Sequence, residues 1–283
     1  MDGGTLADWI HSRRLYEGGP EKALERILDA AIQFALGLSY AHEQGLIHQD
    51  VKPGNVLIAA NGCLKVADFG LAKARAITGR DVVVQQPQSM LASYGGRTPA
   101  YCSPEQADIA AQRALGTSLA HLPKLTRRTD IWSWAISVLE MFTGEPPCLF
   151  GGQLAREIFE GFLESPPNDS ALPIMPDEVA RLLKQCFRRN PDNRPSSLNE
   201  ISLNLEEAFH EVTGSGYSRQ RPRLVEALAD SLNNRVVSLV DLGKHSEAKT
   251  VFEEALKQYP DHTELIYSSG LFSWRTGQAT DQT

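Results

Sequence analysis

Residues 131–142 form the segment that most restricts how this chain can fold. They are apolar almost all the way around a helix, with two tryptophans among aliphatic side chains. A helix of this kind is buried at the centre of a domain or lies in a membrane. The segment includes Ser133, Ser137 and Glu140, and it is shorter than the roughly 18 residues that a membrane helix needs. We therefore predict a buried central helix and no membrane partner.

The rest of the pattern is mainly helical. Apolar residues recur every three or four positions from Leu24 to Ala41, which indicates one long amphipathic helix ending near Gly45. Thr5 and Asp8 have the spacing of a capping box, which opens a helix. Prolines separate three further amphipathic segments, near residues 151–164, 177–188 and 196–210.

One short pair of strands interrupts the helices. Residues 56–58 and 63–66 flank Asn61-Gly62, the dipeptide preferred in tight hairpin turns. We therefore predict a small β hairpin. Residues 70–128 are long, polar and weakly patterned, and loops of that length are usually functional or disordered.

Charge and cysteine content exclude several classes of function. The net charge of −7 argues against a nucleic-acid partner bound by bulk charge. The four cysteines lie far apart without a C-x-x-C pair, which indicates reduced thiols and no zinc site. The first ten residues lack a basic segment followed by an apolar one, so no secretion signal is expected. These features favour a cytoplasmic location.

Three motifs carry the chemistry. They are His48-Gln-Asp-Val-Lys-Pro-Gly-Asn55, Asp68-Phe69-Gly70 and Thr98-Pro-Ala-Tyr-Cys-Ser-Pro-Glu105. A single D-F-G triplet is common by chance, but all three in this order, with a hairpin between the first two, are specific. Over about residues 1–210 the chain resembles the carboxy-terminal lobe of the eukaryotic-type serine/threonine protein kinases. The resemblance implies the mainly helical lobe of an α+β kinase fold.

The resemblance also implies roles for individual residues. Asp50 would accept or orient the proton of the incoming hydroxyl, and Lys52 would offset negative charge near the γ-phosphate of ATP. Asn55 and Asp68 would hold Mg²⁺ through oxygen atoms. Phe69 and Gly70 complete the nucleotide-binding motif, since Gly70 lets the backbone turn beside Asp68.

Other positions match the pocket that receives the substrate, or the framework around the site. Thr98 matches the residue that lines the substrate pocket of Ser/Thr kinases, so a Ser or Thr hydroxyl of a protein substrate is the expected acceptor. Glu105 and Arg194 match a buried ion pair that anchors the activation segment. Asp130 matches the residue that hydrogen-bonds the catalytic-loop backbone, and His48 is expected to pack in the core.

The sequence departs from the family in three places. No glycine-rich phosphate loop, strand lysine or helix glutamate can be placed before Gly3, so the chain is expected to be a fragment that lacks the amino-terminal lobe and has weak or no activity alone. Gln49 stands where many kinases have Arg, which predicts activation without a loop phosphate bound beside Asp50. Residues 107–127 are expected to form an inserted surface helix or loop.

A second region follows the kinase-like one. Residues 229–262 match one 34-residue helical repeat of the tetratricopeptide type, and a second, incomplete copy begins at Thr263. An ordinary two-helix hairpin is the alternative. We therefore predict a kinase domain (carboxy-terminal lobe only) at 1–212, a linker at 213–223, and a repeat region at 224–283 that binds a protein partner.

Two other functions remain open at this stage. A half-kinase could act as a non-catalytic scaffold, with the repeats as its working part. A small-molecule phosphotransferase of related fold is a weaker alternative, because such enzymes usually lack the segment from Thr98 to Glu105. Loss of activity on Asp50→Asn would separate an enzyme from a scaffold.

Overall fold

The chain contains two compact units, residues 1–218 and 219–283. The computed structural model describes residues 3–68, 98–116, 123–219, 232–233, 236, 239–240 and 245–275. Within these ranges no helix is both long enough and apolar enough to cross a membrane. The helices are α1 (Leu6–His11), α2 (Pro20–Glu43), α3 (Pro104–Ala114), α4 (Arg127–Thr143), α5 (Gly151–Glu164), α6 (Asp177–Cys186), α7 (Leu198–Thr213), α8 (His245–Gln258) and α9 (Thr263–Arg275), and the strands are β1 (Val56–Ile58) and β2 (Leu64–Val66).

Helix α4 is the buried centre of the first unit, as its composition predicts. Every residue from Thr129 to Phe142 is buried. Trp134 is fully enclosed, and its Nε1 donates a hydrogen bond to the Ala31 carbonyl on α2 at 3.4 Å. Gly144 ends the helix with a left-handed φ of 79°, a conformation that glycine adopts without a Cβ clash.

Helices α1 and α2 also follow the predicted pattern. Both halves of the capping box form, because the Thr5 side chain accepts from the Asp8 amide and the Asp8 carboxylate accepts from the Thr5 amide. Helix α2 begins with Pro20 and turns one apolar face into the core. It packs mainly on α7, β2 and α4.

The hairpin forms at the predicted place, but its turn differs from a two-residue turn. β1 and β2 are antiparallel with Val56 opposite Val66. The Gly62 amide donates to the Ala59 carbonyl at 2.9 Å. Within the turn, residues 59–63, Gly62 is the one residue with a left-handed φ, of 76°. A two-residue type I′ turn needs a positive φ at both Asn61 and Gly62, and Asn61 does not have one. The loop is therefore a longer turn that ends with Gly62. On the other side of β1, the Ile58 amide donates to the Gly4 carbonyl at 2.9 Å.

Helix α3 covers the first part of the segment expected to be an insertion. It starts at Pro104, within the last two residues of the third motif, and buries Ile109 and Ala110. This part of 107–127 is therefore packed against the unit, chiefly against α5. Residues 117–122 lie outside the described residues.

The second unit has a small core of its own between α8, α9 and the helical residues described between 232 and 240. Ala248, Phe252 and Ala255 are buried, and the Phe252 ring lies 5.5 Å from that of Phe272. The described part of the chain is thus mainly α-helical and includes a small two-stranded sheet, as predicted. The assignment to tetratricopeptide repeats stays a prediction, and its turn glycines, Gly243 and Gly277, lie outside the described residues.

The boundary between the units falls inside the predicted linker. Tyr217 still packs on the first unit, because its hydroxyl donates to the Asp29 carboxylate at 2.9 Å and its ring stacks edge-on against Phe209. The first unit ends at Ser218. The division into domains at 212 and 223 stays a prediction.

Candidate active site

The first motif forms a loop between α2 and β1, and Asp130 on α4 holds its beginning. The Asp130 carboxylate is fully buried and accepts from the His48 amide at 2.7 Å and from the Gln49 amide at 2.8 Å. His42 Nε2 on α2 lies 2.8 Å from the same carboxylate. A buried carboxylate needs such partners, so this arrangement joins α2, the loop and α4 at one point.

Asp50 lies at the centre of a small polar network. Its carboxylate is 2.8 Å from Lys52 Nζ and 3.2 Å from Asn55 Nδ2, and it accepts from the Thr98 amide at 3.3 Å. Lys52 Nζ also donates to the Thr98 hydroxyl at 2.9 Å. The structure therefore brings four of the predicted site residues together, although Thr98 is far from the others in sequence.

Asn55 links this network to the end of the hairpin. Its Nδ2 donates to the Asp50 carbonyl at 2.8 Å, which leaves the amide oxygen as the atom available to a cation. The Asn55 carbonyl accepts from the Ala67 amide at 2.8 Å, and His48 Nε2 donates to the Ala67 carbonyl at 2.9 Å. These two bonds fix the chain just before Asp68, which has a left-handed φ of 60°.

Asn55 and Asp68 supply the kind of ligands that magnesium prefers. A carboxylate and an amide oxygen are hard donors, and Mg²⁺ usually takes only one or two protein ligands and fills its other positions with water and phosphate oxygens. The described residues contain no cluster of three or more His, Cys, Asp or Glu side chains suited to a metal. The chemistry of these two oxygen donors fits Mg²⁺.

Phe69 and Gly70 lie outside the described residues. Their assignment to the nucleotide site stays a prediction.

Glu105 and Arg194 form a buried, two-pronged ion pair. The guanidinium nitrogens lie 2.8 and 2.9 Å from the two carboxylate oxygens, and neither side chain is more than 5% exposed. Arg194 also donates to the backbone carbonyls of Arg128, Arg188 and Arg189, and its guanidinium lies 5.0 Å from the Trp132 ring. The pair fastens the start of α3 to the loop before α7.

Glu140 on α4 has a further buried carboxyl group, which contacts the third motif through Tyr101. Tyr101 donates to the Glu140 carboxylate at 2.6 Å, and burial raises the pKa of Glu140 to about 7. Burial also raises the pKa of Tyr101 above its ordinary value, and raises the pKa of the neighbouring Cys148 thiol to about 11. Of these three residues, Tyr101 lies close to Thr98 in sequence, three positions after it.

Sequence reasoning did not single out Gln106 or assign a role to Glu140. The side-chain amide of Gln106 donates, through Nε2, to the backbone carbonyl of Gln49 at 2.8 Å, and the two residues are 57 positions apart in the chain. Ser103 and Gln106 have the spacing of a capping box, which could have marked Gln106 as the third residue of a helix. Nothing local could have indicated its partner in the catalytic loop.

The first unit, except for its last residues, is similar to known proteins. The family model of the protein kinase domain matches residues 1–209. Over 209 residues, or 72% of its length, the chain is 33% identical to a serine/threonine-protein kinase PknB of Mycolicibacterium smegmatis. It is also 34% identical over 174 residues, or 61% of its length, to mitogen-activated protein kinase kinase kinase 5 of Arabidopsis thaliana.

These alignments span 29% of the length of the mycobacterial kinase and 21% of that of the plant kinase. The family match, by contrast, includes all three motifs and the residues gathered around Asp50. The chain belongs to the protein kinase domain family.

Proposed function

We propose that this chain carries the catalytic residues of a protein kinase that transfers the γ-phosphate of ATP to a Ser or Thr hydroxyl of a protein substrate. The observation that carries the proposal is the network in which Lys52 Nζ joins the Asp50 carboxylate to the Thr98 hydroxyl. It gathers a proton acceptor, a cation and a hydroxyl-bearing residue of the third motif at one point. The family membership supports the same chemistry.

Asp50 acts on the proton of the incoming hydroxyl. Its carboxylate is held in one orientation by Lys52, Asn55 and the Thr98 amide, so a hydroxyl arriving beside it meets an acceptor already in position. The Asp50 side chain is 12% exposed, so it is mostly shielded from water but not completely enclosed.

Lys52 supplies positive charge where the transferred group becomes more negative. Its ammonium bridges Asp50 and Thr98, and its flexible stem lets it turn toward a phosphate without moving the backbone. Phosphoryl transfer depends chiefly on positioning and on neutralising charge, so a cation two residues from the proton acceptor suits this chemistry.

Asn55 and Asp68 would hold Mg²⁺, with Phe69 and Gly70 completing the nucleotide site. When bound there, the ion would supply positive charge that offsets the negative charge of the ATP phosphates. The contribution of this chain is to orient the two oxygen donors, through the Asn55 bond to Asp50 and the Ala67 bond to Asn55.

The second unit is proposed to bind a protein partner through its repeat-like helices. A surface groove there is lined by Asn233, Thr263, Glu264, Tyr267 and Ser268. Tyr267 is 71% exposed, whereas the Phe252 side of the same hairpin is buried.

The cytoplasm is the proposed location, since ATP is plentiful there and all four cysteines are free thiols.

The test is transfer of labelled γ-phosphate to a protein substrate by the full-length protein. We expect label on Ser and Thr but not on Tyr, a requirement for Mg²⁺, and loss of transfer in Asp68→Asn. The exposed Asp177, which opens α6, provides the control Asp177→Asn, with an unchanged rate. Equal transfer by wild type and Asp68→Asn would instead favour a scaffold.

A further inference from the structure

We propose that Gln106 is a positioning residue, whose amide donates a hydrogen bond that holds the peptide immediately before Asp50. The inference rests on the proposed kinase function of Asp50. Gln106 is only 1% exposed, and its Nε2 lies 2.8 Å from the carbonyl oxygen of Gln49. It reaches the catalytic loop from α3, the helix that begins at the end of the third motif.

The Gln49 backbone needs such support. Its φ of 67° lies in the left-handed region, which is disfavoured for a residue with a Cβ atom. Residues in this region persist only where their surroundings hold them there. Gln49 is held on both sides, because Asp130 accepts from its amide at 2.8 Å and Gln106 donates to its carbonyl at 2.8 Å.

The Gln49 carbonyl and the Asp50 amide belong to one rigid peptide plane. At one end of this plane the Asp50 amide lies 3.4 Å from His48 Nδ1. At the other end the Gln49 carbonyl lies 2.8 Å from Gln106 Nε2, which is the shorter of these two contacts. Without that bond the plane can turn and carry the Asp50 carboxylate away from its position. Small displacements of this kind slow a reaction that depends on geometry.

The two ends of the Gln106 amide have different tasks. The oxygen accepts from the Ser103 amide at 3.0 Å, while the Gln106 backbone amide donates to the Ser103 hydroxyl at 3.3 Å. This is a capping box that starts α3. Its neighbour Glu105 is fastened to Arg194, so Gln106 connects an anchored helix start to the catalytic loop.

This division of tasks gives matched variants. Gln106→Glu keeps an acceptor for the Ser103 amide, but an ionised carboxylate has no proton to donate to Gln49. A protonated carboxyl has both a donor and an acceptor, and burial favours the protonated form, so acid should restore the bond. Gln106→Met loses both bonds at every pH. Ser103→Ala removes only the hydroxyl that caps the helix.

The experiment measures kcat and the KM for ATP across pH in the full-length protein. At about pH 8 we expect kcat to fall at least about tenfold in Gln106→Glu and Gln106→Met, with the KM for ATP nearly unchanged. Toward pH 6 the ratio of Gln106→Glu to wild type should rise by about threefold or more, while Gln106→Met stays low. Ser103→Ala should melt at a lower temperature but keep kcat within about threefold of wild type.

Several outcomes would overturn the inference. They are a wild-type kcat in both Gln106 variants, an equal loss in Ser103→Ala, or the same pH profile for Gln106→Glu and Gln106→Met. Asp50→Asn is included so that failure of the kinase proposal is seen separately, as an equal rate in wild type and Asp50→Asn.

Hydrogen exchange of the Asp50 backbone amide gives a readout that does not depend on activity. The inference predicts faster exchange at this amide in Gln106→Met than in Ser103→Ala. Equal exchange in the two variants would contradict it.

Discussion

Buried carboxylates make two of the connections that hold the site together. Asp130 accepts from two consecutive backbone amides, and Glu105 is matched by both prongs of Arg194. Each joins segments that are more than eighty positions apart. Removing one partner of such a pair leaves the other buried without compensation, which is why these residues are expected to matter for stability.

Glu105→Ala is expected to lower the free energy of unfolding by about 3–5 kcal/mol, because Arg194 would remain buried without its counter-charge. Urea unfolding measures this change. The exposed pair Glu178–Arg181 on α6 is the control, and Glu178→Ala should change stability by less than about 1 kcal/mol. Equal small effects of both substitutions would contradict the anchoring role of Glu105.

The burial of Glu140 predicts that the stability of the folded chain depends on pH. In the folded chain burial raises its pKa to about 7, with Tyr16, Tyr101 and Cys148 among its titratable neighbours, whereas in the unfolded chain the pKa returns to about 4.5. Folding is therefore favoured by the proton on this group at low pH. The free energy of unfolding should decrease as the pH rises from about 4.5 to about 7, by on the order of 3 kcal/mol.

The comparison of wild type with Glu140→Gln isolates this effect. Gln cannot ionise and keeps an oxygen that accepts from Tyr101. Unfolding measured between about pH 5 and about pH 8 should show the variant gaining stability relative to wild type as the pH rises. A difference that does not change with pH would show that Glu140 does not titrate in this range.

At the scale of elements, helix α2 supports the hairpin that leads to Asp68. Gln33 on α2 accepts from the Leu64 amide at 2.9 Å and donates to the Gly62 carbonyl at 3.3 Å. The side chain thus satisfies the backbone at the start of β2. An unpaired backbone amide in a partly buried place would be unfavourable.

Gln33→Leu is therefore expected to reduce the free energy of unfolding by about 1–3 kcal/mol. Hydrogen exchange at the Leu64 amide should become faster in the variant. The exposed Glu25 on the same helix offers the control Glu25→Leu, for which neither quantity should change much. An unchanged exchange rate at Leu64 in Gln33→Leu would contradict the support that α2 gives to the hairpin.

The elements that could be predicted from the sequence are those with a strong local signal. The apolar circumference of 131–142 predicted α4, and the capping-box spacing of Thr5 and Asp8 predicted α1. The hairpin was predicted, but not its turn, since Asn61-Gly62 is compatible with several loop lengths. The packing of α3 could not be foreseen, because its buried face depends on α5.

The same limit applies to the candidate site. Asp50, Lys52 and Asn55 lie within six positions, so a motif can suggest that they act together. The contact of Lys52 with Thr98 spans 46 positions, and that of Gln106 with Gln49 spans 57. Family resemblance suggested that Thr98 lines the substrate pocket, but neither contact was predicted from the sequence, because the fold alone brings these segments together.

At the scale of the whole molecule, each of the two units has its own apolar core. Among the residues that the structure describes, the core of the second unit includes eight buried apolar side chains, and Phe252 is one of them. Phe252→Ala is expected to destabilise this unit by about 3–5 kcal/mol, because a buried ring is replaced by a cavity. Hydrogen exchange in α8 and α9 should become much faster.

Tyr267→Ala on α9 is the control, because 71% of that residue is already exposed. It should leave the exchange of both helices nearly unchanged. If Phe252→Ala preserved the protection of α8 and α9, the separate core described for this unit would be wrong.

The central claim is that Asp50 takes part in phosphoryl transfer, and its most direct test is the single-turnover rate of the full protein with Asp50 replaced by Asn. Asn keeps the size of the side chain but cannot accept the proton. We predict a rate about 10²–10⁴-fold below wild type, with ATP binding retained. An unchanged rate of transfer to a protein substrate would contradict the catalytic account.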